Sequence, residues 1–102
     1  MTLGVVIDVS APVETYDEVH AEMLEHLGPT GVDGLLVHLA RPTAEGFQVI
    51  EVWESAEARD RASREVVGPA AAAALRGREL PEQVVTEFDV RGLVLPRAGV
   101  AV

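Results

Sequence analysis

The sequence predicts an α+β domain of the ferredoxin-like βαββαβ type, an antiparallel four-stranded sheet with both helices on one face. Three observations predict it. The hydrophobic periods run strand, helix, strand, strand, helix, strand, and the two central strands are joined by a short stretch holding Pro42 and Gly46. Two right-handed crossovers around a central hairpin give the split βαβ arrangement. The chain has 102 residues, room for a single domain. Finally, 48% of its residues are hydrophobic, near the top of the range for soluble domains. A domain this small buries only roughly 60–65% of its unfolded surface, so part of that apolar surface is expected to need a partner.

The elements follow in order. Leu3 to Val9 is dense in β-branched residues and reads as a strand buried on both faces. Ser10-Ala11-Pro12 stops it, and Pro12 suits the first turn of a helix. From Val13 to Leu27, the residues Val13, Tyr16, His20, Met23, Leu24 and Leu27 recur at steps of three and four. They form one apolar stripe, with Glu14, Asp17, Glu18, Glu22 and Glu25 opposite. Gly28-Pro29-Thr30-Gly31 ends that helix. Gly34 to Ala40 and Phe47 to Glu54 read as the two hairpin strands, with Arg41 to Gly46 between them. Ser55 is expected to cap a second helix that runs to about Val67, breaks or kinks at Gly68-Pro69, and resumes through the alanines to Leu75. Ala58, Ala62 and Ala73 are expected to share one side of it, either permitting tight packing or leaving a cavity. Gly77 closes the segment, and Gln83 to Leu95 reads as the last strand. The domain is thus residues 1–95, with 96–102 a flexible or partner-contacting tail.

In such a fold one face of the sheet has no helices. The first two strands here offer apolar residues to both sides (Val5 and Val6, Leu35 and Leu36, Val37 and Leu39), so the uncovered face is expected to be an association surface. A homodimer with twofold symmetry is the expected partner arrangement.

Composition narrows the function classes. With no cysteine, a thiol nucleophile, a disulfide scaffold and a thiolate metal or iron–sulfur site are excluded. The formal net charge is −9, from 17 acidic and 8 basic residues, which argues against nucleic acid and acidic membrane surfaces as partners. Met1 to Gly4 has no basic lead or apolar stretch of a signal peptide, and no window reaches the roughly 18 apolar residues of a membrane span. A soluble, cytoplasmic protein is expected. The three histidines stand in no metal-binding spacing, and no phosphate loop, dinucleotide fingerprint or nucleophile elbow is present, so neither a metal nor a cofactor is expected.

Several pieces carry a family resemblance: Tyr16-Asp17 on the first helix, Gly34 to Ala40 around His38, Gly46 to Ser55 around Glu51 and Trp53, and Gly68-Pro69 on the second helix. Over residues 3 to about 92 the chain resembles the antibiotic-biosynthesis-monooxygenase-like proteins of the dimeric α+β barrel superfamily. The resemblance implies a homodimer and a pocket under the helices. Some such proteins oxidise polyphenolic polyketides with dioxygen and no cofactor; others degrade haem or act as cyclases. The chain departs from the oxygenases in having no asparagine, and in placing Ala62 and Ser63 where a large aromatic or histidine is common.

The candidate chemistry rests on few residues. His20 stands in the apolar stripe one turn from Tyr16, where it is either a catalytic base or a core histidine bonded to a carbonyl or to Tyr16. His38 is mid-strand. If the hairpin loop holds an even number of residues, His38 lies opposite Val49 and shares a face with Phe47, Val49, Glu51 and Trp53; a one-residue slip moves it to the bare face. On the first register His38 and Glu51 form a base and its orienting carboxylate. Trp53 either stacks on a flat substrate or fills the space under a helix. His26 is read as solvent-facing near the helix C-terminus. The catalytic candidates are therefore His20, His38 and Glu51, and the substrate-binding candidates Tyr16, Trp53, Phe47 and Ala62. The function that the resemblance implies is a cofactor-independent, monooxygenase-like enzyme for polycyclic aromatic or polyketide-like substrates. The alternatives are a non-catalytic dimer binding a small apolar or aromatic molecule, and a cyclase or isomerase using the same pocket.

Overall fold

The computed structural model describes residues 1–27 and 31–101, the His26 side chain excepted. The Gly28-Pro29-Thr30 stop and the placement expected for the His26 side chain lie outside the described residues. Strand β1 (Leu3–Val9) and helix α1 (Val13–Leu27) have the predicted bounds. Strands β2 (Leu35–Pro42) and β3 (Phe47–Trp53) form the hairpin. Next come α2 (Ala56–Ala62), a π-helical turn (Ser63–Val67), α3 (Gly68–Leu75) and β4 (Gln83–Asp89). The sheet order is β2-β3-β1-β4, with every neighbouring pair antiparallel. That is the ferredoxin-like arrangement the periodicities predict.

Strand β4 stops at Asp89 rather than at Leu95. The Val90 amide still donates to the Thr2 carbonyl at 3.1 Å, and Arg91-Gly92 then turns the chain away. The residues beyond form a small hairpin of their own. β5 (Val94–Leu95) pairs with β6 (Val100–Ala101) around the 3-10 turn Pro96–Ala98.

The register sets which residues meet under the helices. The hairpin closes through Thr43 to Gly46, and Pro42 faces Phe47. The four-residue loop places His38 opposite Glu51 rather than Val49, an offset of two residues, so His38 keeps the predicted face. A bulge between Leu35 and Val37 shifts the pairing only beyond that point. Four cross-strand rows result on that face: Pro42, Phe47, Val9, Gln83; Ala40, Val49, Ile7, Val85; His38, Glu51, Val5, Glu87; and Leu35, Trp53, Leu3, Asp89.

The second helical stretch shows how the chain accommodates Pro69. Proline has no N–H to give and its ring collides with the carbonyl one turn back, a defect of about 3 kcal/mol inside a regular α-helix. Here the turn before it widens: the Gly68 amide reaches back five residues to the Ser63 carbonyl. The inserted residue advances the phase by one. Ala58 and Ala62 are buried as predicted, but Ala70 and Ala74 take the inward positions downstream while Ala73 faces out. Ser55 caps the stretch, its Oγ accepting from the Ala58 amide at 3.1 Å.

Two packed clusters hold the layers together. Val5, Trp53, Ala58 and Ala62 form one, with Val9, Phe47 and Val49 forming the other. Gly34 allows the first to close: its φ is +85°, and a Cβ there would stand 2.5 Å from that of Ala58. On α1, Leu24 is 60% exposed and leaves the apolar stripe.

The opposite face of the sheet carries no helix. Its alternate positions include Val6, Val37, Leu39, Ile50, Val52, Val84, Thr86 and Phe88, with the Phe88 ring lying over Gly4. Leu39, Val84 and Phe88 are 45%, 64% and 46% exposed. At the hairpin end a polar row borders this area: Arg41 Nε donates to Gln48 Oε1, and Gln48 Nε2 to Asp8 Oδ1, both at 2.9 Å.

Candidate functional site

The helix face of the sheet is hollow between α1, the α2–α3 stretch and the strands. A cavity of about 200 Å³ opens there. Its floor is Ile7, Val9, Phe47 and Val49, and Trp53 closes the inner end. One wall is Thr15, Tyr16, Val19 and Met23 of α1; the other is Arg59, Ser63, Val67, Ala71 and Leu75. Leu80, which is 77% exposed, lies at the mouth.

A chain of polar side chains crosses this apolar space. Glu51 Oε2 lies 2.7 Å from His38 Nδ1, His38 Nε2 lies 2.8 Å from the Tyr16 hydroxyl, and that hydroxyl lies 3.3 Å from His20 Nδ1. The second carboxylate oxygen of Glu51 accepts from the Trp53 indole N–H at 3.2 Å. Three elements place its members. Glu51 and Trp53 come two apart on β3, so both point under the helices. His38 is the cross-strand neighbour of Glu51, and Tyr16 and His20 are one turn apart on α1.

Proton positions follow from the donors available. An ionised carboxylate only accepts, so a proton stands on His38 Nδ1, and in the neutral imidazole Nε2 is then bare. The Tyr16 hydroxyl then donates to Nε2. A phenol has one proton, so the contact with His20 is completed by an Nδ1–H of His20 donating to the phenol oxygen. Every donor in the line thus points towards Glu51. The His38 and Glu51 side chains are 20% and 12% exposed, so water competes little for these bonds. Burial raises the pKa of Tyr16 above the ordinary phenol value, and the charges of Glu51 and Asp17 raise it further. Tyr16 is therefore held in its protonated form.

The site residues expected from sequence divide in the structure. Tyr16, His38, Phe47, Glu51 and Trp53 all line the cavity. His20 does not line it; it backs Tyr16, its ring nearly parallel to the phenol at 5.2 Å between centroids. Ala62 lies in the packed cluster with Val5, Trp53 and Ala58 rather than on the cavity wall. Trp53 is 2% exposed, and its N–H is committed to Glu51. Sequence reasoning missed the wall formed by Arg59, Ser63, Val67, Ala71 and Leu75. The signal was their spacing of four, which Gly68-Pro69 obscured by suggesting a break. Among the described residues, no three His, Asp or Glu side chains are grouped to hold a metal ion, and no helix is long and apolar enough to cross a membrane.

No family model matches the chain, and no curated protein matches it. Solved structures do. A protein of Caulobacter crescentus CB15, provisionally named an antibiotic biosynthesis monooxygenase, superposes with a TM-score of 0.67 at 20% identity, over 87% of this chain and 89% of that one. SnoaB of Streptomyces nogalater, described as a cofactor-independent oxygenase, gives 0.59 at 21% identity over 93% and 95%. A dimeric protein of unknown function and ferredoxin-like fold from Bacteroides fragilis NCTC 9343 gives 0.59 at 11% identity over 87% and 96%. The chain has the fold of the antibiotic-biosynthesis-monooxygenase-like proteins.

Proposed function

We propose that the protein is a small-molecule enzyme of the cofactor-independent oxygenase type, acting on aromatic, polyketide-like compounds as a homodimer. The observation that carries the reading is the Glu51–His38–Tyr16 chain set against an apolar cavity. A proton acceptor oriented by a carboxylate and facing a dry pocket is the equipment for making a substrate anion.

The chemistry follows from the proton positions. A phenolic or enolisable substrate gives its proton to the Tyr16 oxygen as Tyr16 passes its own to His38 Nε2. Tyr16 remains neutral throughout, in keeping with its raised pKa. The new positive charge on His38 meets Glu51, 2.7 Å away. The substrate anion keeps the Tyr16 hydroxyl as a donor. Electron-rich and held away from water, it surrenders an electron to dioxygen, and the two radicals combine at the ring carbon. Loss of the remaining C–H proton breaks the O–O bond. One oxygen stays as a carbonyl, and the other leaves as water with the proton His38 had stored. In balance, a ring methylene and one molecule of dioxygen become a ring carbonyl and one molecule of water, with the electrons supplied by the two C–H bonds.

Cavity size bears on the substrate. About 150 Å³ is enough for benzene in an apolar protein cavity. A volume of about 200 Å³ therefore encloses one or two rings, and further rings of a polycyclic compound extend past Leu80. The bare sheet face supports the dimer: an apolar centre with a polar row at its border is the usual anatomy of an interface.

Oxygen uptake tests the proposal. With a hydroxylated anthracene whose keto tautomer carries a ring methylene, the wild type consumes oxygen, and the rate in His38→Ala falls about 10²–10⁴-fold. No uptake by the wild type sinks the oxygenase reading. Turnover under nitrogen would instead favour the cyclase or isomerase, and ligand retention without turnover the binding protein.

A further inference from the structure

The cavity has a second polar corner that the proton relay does not use. Arg59 projects from α2 into the cavity wall and is the one permanent cation among the described residues that line it. Among the described residues its guanidinium makes a single contact, Nη1 to Glu87 Oε1 at 3.0 Å, which leaves Nη2 and Nε uncommitted there. The two partners differ in setting: the Arg59 side chain is 19% exposed and that of Glu87 53%. Glu87 stands on β4, the edge strand, where its carboxylate can turn to water without moving the sheet.

We infer that Arg59 anchors a carboxylate on the substrate, and that Glu87 occupies its place when the cavity is empty. This rests on reading the cavity as a substrate site. Glu87 belongs to the same cross-sheet row as His38 and Glu51, so the row is polar at both ends. The strands of His38 and Glu87 are three spacings apart, roughly 14 Å between backbones. Val5, between them, is fully covered. A ligand therefore lies one row out, over Ile7 and Val49, reaching back to Tyr16 at one end and Arg59 at the other. A fused-ring aromatic acid has that length and shape.

Charge makes this corner selective. An anion meets repulsion from a chain of net charge −9 and enters only where a local cation outweighs it. A monodentate pair with a mobile surface carboxylate is weak. A guanidinium with a free fork pairs far better with a carboxylate presented in plane from inside the cavity. Displacing Glu87 is therefore favoured for an acid and not for its neutral counterpart.

The test uses 2-naphthoate and its neutral amide as probes. Binding is followed by the fluorescence of Trp53, the sole tryptophan, which closes the inner end of the cavity. The wild type is expected to bind the acid at least tenfold tighter than the amide. Arg59→Gln removes the preference and leaves amide affinity unchanged. Glu87→Gln tightens the acid severalfold, because the competing carboxylate is gone; exposed as Glu87 is, that variant folds even if Arg59→Gln does not. Equal affinity for acid and amide in the wild type overturns the inference while sparing the cavity reading. So does a Glu87→Gln variant that loses thermal stability without any change in the acid preference, since the pair would then only brace α2 to β4. Absence of binding by both probes overturns the cavity reading and the anchor together.

Discussion

The two faces of this sheet are made from the same four strands, and alternate residues send them to different tasks. Towards the helices, β3 presents Phe47, Val49, Glu51 and Trp53; towards the open side it presents Gln48, Ile50 and Val52. The helix face gathers His38, Glu51 and Glu87 in one row, where each has a partner. The open face is apolar through its middle apart from Thr86, and Asp8, Gln48 and Arg41 stand together at one end. Glu51 is tolerated in a buried row because both its oxygens are bonded, one by His38 and one by Trp53. On the open face no such arrangement exists at the centre, and a charge introduced there would stand alone. Polarity inside this molecule is thus allowed only as a closed network, and the network coincides with the cavity.

Removing one member of the network is expected to have the largest effect. Glu51→Gln keeps the shape of the side chain but takes away the charge that orients His38 and stabilises its protonated form. Steady-state oxygen uptake should fall about 10²–10⁴-fold while the fold is retained. Activity within a fewfold of the wild type would mean that the His38–Glu51 pair is structural.

A change within the apolar area of the other face should act on assembly and leave the cavity intact. Phe88→Asp puts an unpaired charge where two apolar faces are proposed to meet. At several kcal/mol for such a charge and about 1.4 kcal/mol per tenfold, association should weaken by at least about 100-fold. Sedimentation of the variant should show monomer where the wild type shows dimer. A wild type that is already monomeric at high concentration would remove the dimer proposal.

The smallest effect belongs to Tyr16. Its pKa is raised in the folded state, so folding favours the protonated phenol. That contribution is complete below the unfolded value of about 10 and is lost as the pH climbs through the folded value. Denaturation midpoints of the wild type should therefore drop more steeply above about pH 10 than those of Tyr16→Phe. Parallel slopes would contradict the buried, Glu51-facing setting of the phenol.

What the sequence made legible follows the strength of the local pattern. β1 and α1 were readable to the residue because β-branched density and a three-four stripe are strong signals. The face of His38 was readable only conditionally. Its decision rests on the length of the loop, four residues from Thr43 to Gly46, which composition alone does not give. The Ala73 position failed for a physical reason. Pro69 was seen to disturb the helix, but its accommodation by a π turn advances the phase by one residue, and period counting assumes a constant period. The end of β4 was overshot because Val90, Leu93, Val94 and Leu95 keep an apolar character after the pairing has ended. Arg59 was missed because a charged residue on a helix usually marks the solvated side, and nothing local distinguishes one that reaches back over the sheet edge.

The proposed chemistry depends on Glu51 fixing the proton of His38. Nitrogen-15 NMR of the imidazole in the resting protein reads this directly. The expected spectrum has His38 as the neutral Nδ1–H tautomer with Nε2 unprotonated, and Glu51→Gln releases that preference. A His38 found as the Nε2–H tautomer in the wild type, or one indifferent to Glu51→Gln, would contradict it.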